Sequence, residues 1–339
     1  MPRYRARERN EEWRKVLKRT PLKFLATLLG VIQGLTIAAP AQEYPSKPIR
    51  VIAAASAGGL SDIFIRTLGD ELQKRWGHPL IIENRPGGSF NIAAKACAEA
   101  APDGYTICLL PNEPLTYNPY LFKNLGFDPD RVVAITNLFF ITQVLAVNAA
   151  LKVSTLDELA ALSKAKAGTL SYASPSLSHV LFVENFKRDT GADLVRVPFK
   201  GGGDAVNGML SGTTPVVFLG IGNVISYMRE GMVNGLVLDS ESRSPLSPNI
   251  PTLAEIQYRG DITRSYFGLL APAGTPPAII RKIQKEVASI MQTQGFADKH
   301  LIQRGLEPVA NTPEEFTDLI LRDRTIAERV VKASGLQPQ

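Results

Sequence analysis

Histidine, cysteine and tryptophan are scarce in this 339-residue chain, at three, two and two residues. His78, His179 and His300 lie far apart and none stands in an H-E-x-x-H pattern, which removes a common zinc-hydrolase arrangement. No G-x-S-x-G nucleophile elbow occurs; Gly87-Gly88-Ser89-Phe90-Asn91 lacks the final glycine. Cys97 and Cys108 form no C-x-x-C pair, so neither redox catalysis nor zinc binding is indicated. Two buried thiols is the expected state of these cysteines, and a helix-to-strand bridge across the Pro102-Asp103-Gly104 turn is the alternative. Past the N-terminal segment no run of about 18 apolar residues appears, which argues against a later membrane-spanning helix.

An excess of charge is also missing, except at one end. Residues 1–41 hold nine basic and three acidic side chains, which is the whole of the formal net charge of +6. The remainder carries 29 of each sign, so no nucleic-acid partner is expected. The same segment reads as a secretory signal: basic to Lys23, apolar from Phe24 to Ala38, then Ala39-Pro40-Ala41 as small residues for a signal peptidase. Cleavage after Ala41 and a periplasmic location follow as expectations; an uncleaved anchor is the alternative.

What is present is an alternation of strand and helix signals, which implies an α/β architecture with largely parallel, doubly wound sheets. Strands are expected at Ile49–Ala55, Leu80–Glu83 and Tyr105–Leu110, with helices at Asp62–Trp76 and Ile92–Ala100 between them. Leu138 to Asn148 is one apolar stretch that carries the chain onward into a second series of units. That series reads as helices beginning near Leu156, His179, Asp204 and Ile225, with strands near Leu170, Leu194, Val216 and Gly235. Tyr266 to Leu270 is a further strand. Thr275 is expected to cap the next helix, and Thr312 with Glu315 has the spacing of a capping box. Two series of units plus a helical tail suggest two lobes between which the chain crosses twice.

Several loops join a strand end to a helix start, where ligands bind in open α/β sheets. In Ser56-Ala57-Gly58-Gly59-Leu60-Ser61-Asp62, unpaired N–H groups favour an anion and the glycines admit close approach. Gly59 is assigned a positive φ, which makes Gly59→Pro a test of the loop. Asp62 either caps the helix or meets a polar ligand group, and the loop as a whole also fits a simple turn. Asn91 is a candidate N-cap after the turn at 84–88. Lys200-Gly201-Gly202-Gly203 lacks the order of a phosphate loop, and Gly220-Ile221-Gly222-Asn223 fails the dinucleotide pattern at Ile225. No cofactor or metal is called for. Ser174, Ser176 and Ser178 precede His179, and a serine–histidine hydrolase is kept as a distant third reading.

The ordered stretches YPSKPIRVI (44–52), AGGLSD (57–62), IIENRPGG (81–88), APDGYT (101–106), NPYLF (118–122), LSYAS (170–174), VPFKGGGDA (197–205), FGLLAPAGTPPAI (267–279) and GLEPVANTPEEF (305–316) resemble one family. They look like the substrate-binding proteins of tripartite tricarboxylate transporters, the Bug receptors. The resemblance implies a monomeric two-lobed periplasmic binding protein of the Venus-flytrap, type II-like kind, which passes an organic acid to a membrane permease and has no enzymatic activity. It implies lobe one at 44–142 plus 267–339, lobe two at 143–266, and a ligand cleft between them. It also implies that main-chain groups of Ala57, Gly58, Gly59, Leu60, Ser61 and Asp62 hold the ligand's carboxylate, with facing contacts from Ser174, Ser176, Ser178, Lys200, Gly201 and Gly202; Ser56 and Asn91, in the loops after the first two strands, are further candidate contacts. Ser56-Ala57-Gly58-Gly59 stands where the family usually has A-P-G-G, the serine loop before His179 is short, and Leu219 replaces a frequent acidic residue. A ligand with an apolar or aromatic body is expected from these departures. An exported sensory receptor of the same fold is the alternative function.

Overall fold

In the computed structural model, residues 44–338 are described, except 175, 200, 201 and 259–261. The expected signal segment at 1–41 lies outside the described residues, as do Lys200 and Gly201. Among the described residues no helix is long and apolar enough to cross a membrane.

The first part follows the expected alternation: β1 (Ile49–Ala53), α1 (Leu60–Trp76), β2 (Leu80–Asn84), α2 (Asn91–Ala98) and β3 (Thr106–Pro111). Two single-turn helices, α3 (Glu113–Thr116) and α4 (Asn118–Leu121), lead to β4 (Val132–Ile141) and β5 (Gln143–Asn148). Next come α5 (Leu156–Ala165), β6 (Ser171–Ala173), α6 (Leu177–Thr190), β7 (Val195–Arg196), α7 (Gly202–Leu210), β8 (Val216–Gly220), α8 (Ile225–Arg229) and β9 (Val233–Leu238). The chain closes with β10 (Tyr266–Pro272), α9 (Pro277–Met291), α10 (Phe296–His300), β11 (Leu306–Pro308) and α11 (Pro313–Ser334).

These strands form two sheets, in the orders β11-β4-β10-β3-β1-β2 and β7-β6-β8-β5-β9. Both are mixed rather than largely parallel. β1 pairs parallel with β2 and β3, while β10 runs antiparallel to β3 and β4. In the second sheet β6 is parallel to β7 and β8, and β5 is antiparallel to β8 and β9. β5 and β10 are each entered from the other sheet, and β11 also runs antiparallel, to β4. The apolar stretch Leu138–Asn148 is therefore two strands in two sheets, divided at Thr142. Its passage is pinned from both sides: Ile141 N–H donates to Ser265 O at 2.8 Å, Thr142 N–H to Gly305 O at 3.0 Å, and Ile221 N–H to Thr142 O at 2.9 Å.

Each sheet has its own core. Ile52, Cys108, Leu110 and Leu270 pack with Ala93 and Cys97 of α2 in the first, and Leu145, Tyr172, Val216 and Phe218 with Phe182 and Phe186 of α6 in the second. A third cluster joins Tyr117 and Leu121 to Leu181 of α6 and to Ala327, Val330 and Val331 of α11, so the C-terminal helix packs against elements of both sheets. Its start has the expected capping box, with Glu315 N–H on Thr312 Oγ1 at 3.2 Å and Thr312 N–H on Glu315 Oε2 at 2.8 Å.

Three local expectations need correction. Cys97 and Cys108 are joined in a disulfide with Cα atoms 6.0 Å apart, because the buried face of α2 lies directly over β3. Thr275 does not cap α9; its hydroxyl donates to Pro272 O at 2.8 Å, and Pro276 takes the N-cap position. Asn91 is the first residue of α2 rather than its cap, since Ser89 and Phe90 enter it with positive φ of 50° and 72°. Its Oδ1 instead accepts from Asn118 Nδ2 at 2.7 Å.

Candidate functional site

A cavity of about 580 Å³ lies between the two sheets. From the first sheet it is walled by Ala54 to Ser56, Gly59 to Ser61, the Pro86–Phe90 turn, Glu113, Asn118, Phe139 and Phe267. From the second sheet come Gln143, Leu177, Arg196, Gly202, Leu219, Gly220 and Asn223. The wall is mainly apolar with a few polar points, the usual make-up of a small-molecule site.

The first loop is organised by Asp62. Its Oδ2 accepts from Gly58 N–H at 2.9 Å and from Arg66 Nε at 3.0 Å, and its Oδ1 accepts from Arg66 Nη2 and from Asn84 Nδ2, each at 2.9 Å. Asn84 Nδ2 also donates to Ala55 O at 2.9 Å, which ties the loop to the end of β2. Burial acts to raise the Asp62 pKa, but the Arg66 side chain, the Gly58 N–H, the Asn84 amide and the Arg66 charge outweigh it and hold the carboxyl at about 2. Asp62 is thus occupied within the protein, and Gly58 N–H is not available to a ligand. The positive φ belongs to Gly58, at 81°, whereas Gly59 is extended at φ −72°, ψ 164°. A proline at Gly59 would therefore meet no φ conflict, contrary to the expectation from sequence.

Gly59 is the N-cap of α1 and brings no side-chain cap. Among the described residues nothing accepts from the N–H groups of Leu60, Ser61 or Asp62. Leu60 and Ser61 are in the cavity wall, so a 17-residue helix opens an uncapped, partially positive end onto it. Leu177 and Gly202, the first residues of α6 and α7, are in the wall opposite. Among the described residues, the helices α1, α6 and α7 therefore all begin at one cavity. Among the described residues two charged side chains line it, Arg196 and Glu113. Glu113 is fully buried; desolvation raises its carboxyl to about 7, against the lowering effects of its own backbone N–H and of Ser176.

Of the residues expected from sequence, Ser56, Gly59, Leu60, Ser61 and Gly202 line the cavity, and Ala57, Gly58, Asp62 and Asn91 do not. Ser174, Ser176 and Ser178 are buried away from it. Ser174 Oγ donates to Ser176 O at 3.2 Å, and Ser176 Oγ lies 2.8 Å from Ser178 Oγ. Ser178 Oγ lies 3.2 Å from His179 Nδ1, and His179 Nε2 lies 3.0 Å from Asp239 Oδ2. This serine–histidine–aspartate order is sealed, with Ser178 1% and His179 0% exposed. Sequence reasoning missed Phe90, Glu113, Asn118, Gln143, Arg196 and Asn223. Glu113 and Asn118 follow the end of β3 without a glycine signature, and that strand-end position was the signal that could have found them; Gln143 and Arg196 lie within strands, and Phe90 and Asn223 stand beside glycines that were read for other purposes.

Residues 64–336 match the tripartite tricarboxylate transporter family receptor (TctC). The chain belongs to that family. Protein BugT of Bordetella pertussis is 31% identical to it over 319 residues, covering 92% of this chain and 97% of BugT. Among solved structures, R. palustris Rpa4515 with adipate is similar at 25% identity and a TM-score of 0.79, covering 88% of this chain and 100% of that one. MatC (Rpa3494) from Rhodopseudomonas palustris with bound malate is similar at 27% identity and a TM-score of 0.73, covering 85% and 100%. The fold is that of the periplasmic binding proteins, two-lobed and α/β, and the receptors of this family are solute-binding proteins.

Proposed function

We propose that this receptor is exported to the periplasm, captures a small organic carboxylate in the inter-sheet cavity and presents it, as a monomer, to the membrane permease of a tripartite tricarboxylate transporter. The observation that carries the reading is the uncapped start of α1. Leu60 and Ser61, with unpartnered N–H groups, line a cavity at which α6 and α7 also begin, and such an end holds an anion by hydrogen bonds and dipole together. The adipate and malate bound by the two similar structures support a carboxylate. Phe90, Phe139, Leu177, Leu219 and Phe267 in the wall support an apolar body for the ligand. Turnover has no support, because Ser176 and Ser178 are sealed from the cavity.

The test is titration calorimetry of the protein against adipate, malate, citrate, hexanoate and benzoate, with two variants at one position. Proline is welcome at the first residue of a helix, and Gly59 before it is already extended, so Leu60→Pro removes one cavity-facing N–H while keeping α1. Leu60→Ala removes the same side chain and keeps the N–H. A charge-assisted hydrogen bond contributes about 1.5–3 kcal/mol, so Leu60→Pro should bind roughly ten- to hundredfold more weakly than Leu60→Ala. Equal affinities would move the carboxylate away from α1. Citrate binding more tightly than benzoate would remove the apolar preference.

A further inference from the structure

The turn between β2 and α2 carries backbone strain where it lines the cavity. Four consecutive residues have positive φ: Gly87 at 111°, Gly88 at 56°, Ser89 at 50° and Phe90 at 72°. Glycine occupies that region freely, but at Ser89 and Phe90 the Cβ atom crowds a carbonyl oxygen. A bulky residue there is a genuine outlier. Glycine at both positions would make the same turn without strain, so the turn alone does not call for a phenylalanine. Phe90 is half-buried, packs against the core of the first sheet and lines the cavity together with Pro86, Gly87 and Ser89.

Strain of this kind persists only where the surroundings over-determine it. Part of the restraint is internal, since Phe90 N–H donates to Gly87 O at 2.9 Å. The rest comes from α4. Asn118, 0% exposed, donates from Nδ2 to Ser89 O at 2.8 Å and to Asn91 Oδ1 at 2.7 Å. A backbone carbonyl can only accept, so the first bond fixes which way the amide points. The two bonds grip the residues on either side of Phe90. Leu121, at the end of α4, belongs to the cluster with Ala327, Val330 and Val331 of α11, which anchors the clamp.

We infer that Asn118 is a positioning residue for ligand selection: it holds the strained turn so that Phe90 stays in the cavity wall, and Phe90 is the contact by which the receptor prefers carboxylates with an apolar body. The inference rests on the carboxylate reading above and narrows the apolar preference from the whole wall to one ring and its clamp. The carboxylate stays with α1, on a different loop, so the two parts of recognition are separable. Without the clamp the turn relaxes toward negative φ at residues 89 and 90. That change redirects the Cα–Cβ bond of Phe90 and takes the ring out of the wall.

The experiment is calorimetry with benzoate and hexanoate as apolar probes and malate as a small polar one. Phe90→Gly, which the turn accepts without strain, should weaken benzoate and hexanoate at least tenfold and malate no more than threefold. Asn118→Ala should show the same pattern. In the double variant the two losses should not multiply, because Asn118 acts through Phe90. Ser89→Gly lowers the strain that the clamp must hold, so it should restore part of the apolar affinity lost in Asn118→Ala. Asn118→Ser is the gentler variant should the alanine fail to fold, and the same outcomes apply to it. An unchanged benzoate-to-malate ratio in Phe90→Gly would overturn the inference and leave the carboxylate site standing. So would an equal loss for all three probes in the Asn118 variant, losses that multiply in the double variant, or no recovery with Ser89→Gly. Absence of binding by every probe, adipate and citrate included, would sink both readings.

Discussion

The two walls of the cavity handle their polar groups in opposite ways. On the first, a single carboxylate is spent entirely on the loop: Asp62 engages Gly58 N–H, Arg66 and Asn84, and the N–H groups at the start of α1 are left over. On the second, the serines at 174, 176 and 178 turn away from the cavity into a buried chain that runs through His179 to Asp239. Among the described residues, the side chains that remain there are the apolar Leu177 and Leu219 and the polar Gln143, Arg196 and Asn223. The difference teaches that a polar loop facing a cleft is not the same as a polar contact with what the cleft holds. The first wall is built to hold an anion in one place, and the second shapes the rest of the molecule.

The lobes behind these walls also differ, since the disulfide braces the first one alone. It ties α2 to β3, beside β1, whose end begins the anion loop. Closing a short loop of this kind contributes about 3 kcal/mol by restricting the unfolded chain. Cys97→Ala with Cys108→Ala should lower stability by that amount in a denaturant titration, and reductant should reproduce the loss in the native protein. Hydrogen exchange should show protection falling in β1 to β3 and holding in β5, β6 and β8. Equal loss in both sheets would mean that they unfold as one unit and would erase the contrast.

Next in size is the carboxylate that organises the first loop. Asp62→Ala takes the acceptor from the Gly58 N–H and the ion-pair partner from Arg66, while Asn84 Nδ2 keeps Ala55 O and Arg66 Nη2 keeps Asn84 Oδ1, at a cost of about 2 kcal/mol. The pH dependence has a definite sign. The folded pKa, about 2, is below the ordinary 3.8, so the stabilisation is complete above 3.8 and is lost as pH falls through about 2. Thermal melts of the native protein should therefore show an acid-side decline in that window that is shallower in Asp62→Ala. The same decline in both would detach Asp62 from acid stability.

Much of this organisation was legible in the sequence, and the failures share a cause. Strand–helix alternation, the Thr312–Glu315 capping box and the position of the first loop are local patterns, and local patterns survive in the fold. The division of Leu138–Asn148 between two sheets is invisible locally, because two consecutive strands buried in different sheets read as one apolar run. The disulfide depends on α2 lying over β3, a tertiary fact. Glu113 and Asn118 carry no loop signature; they reach the cavity because two short helices follow β3 at its wall. The serine loop misled because hydroxyls serve equally well in a ligand contact and in a buried network.

The smallest effect tests the second wall most directly. Arg196 is exposed on the two-residue β7 and lines the cavity, so its charge would act on an anion held at α1 through solvent. An exposed charge pair contributes about 0–1 kcal/mol and is screened by salt. Arg196→Ala should therefore weaken carboxylate binding by no more than about fivefold at low ionic strength, and the difference should vanish at high salt. The α1 N–H groups are short-range donors, so the loss in Leu60→Pro should persist under the same salt. A salt-resistant loss in Arg196→Ala approaching a hundredfold would show Arg196 closing onto the ligand as a desolvated pair. The second wall would then hold charge as firmly as the first, and the asymmetry between them would be a property of the unliganded form.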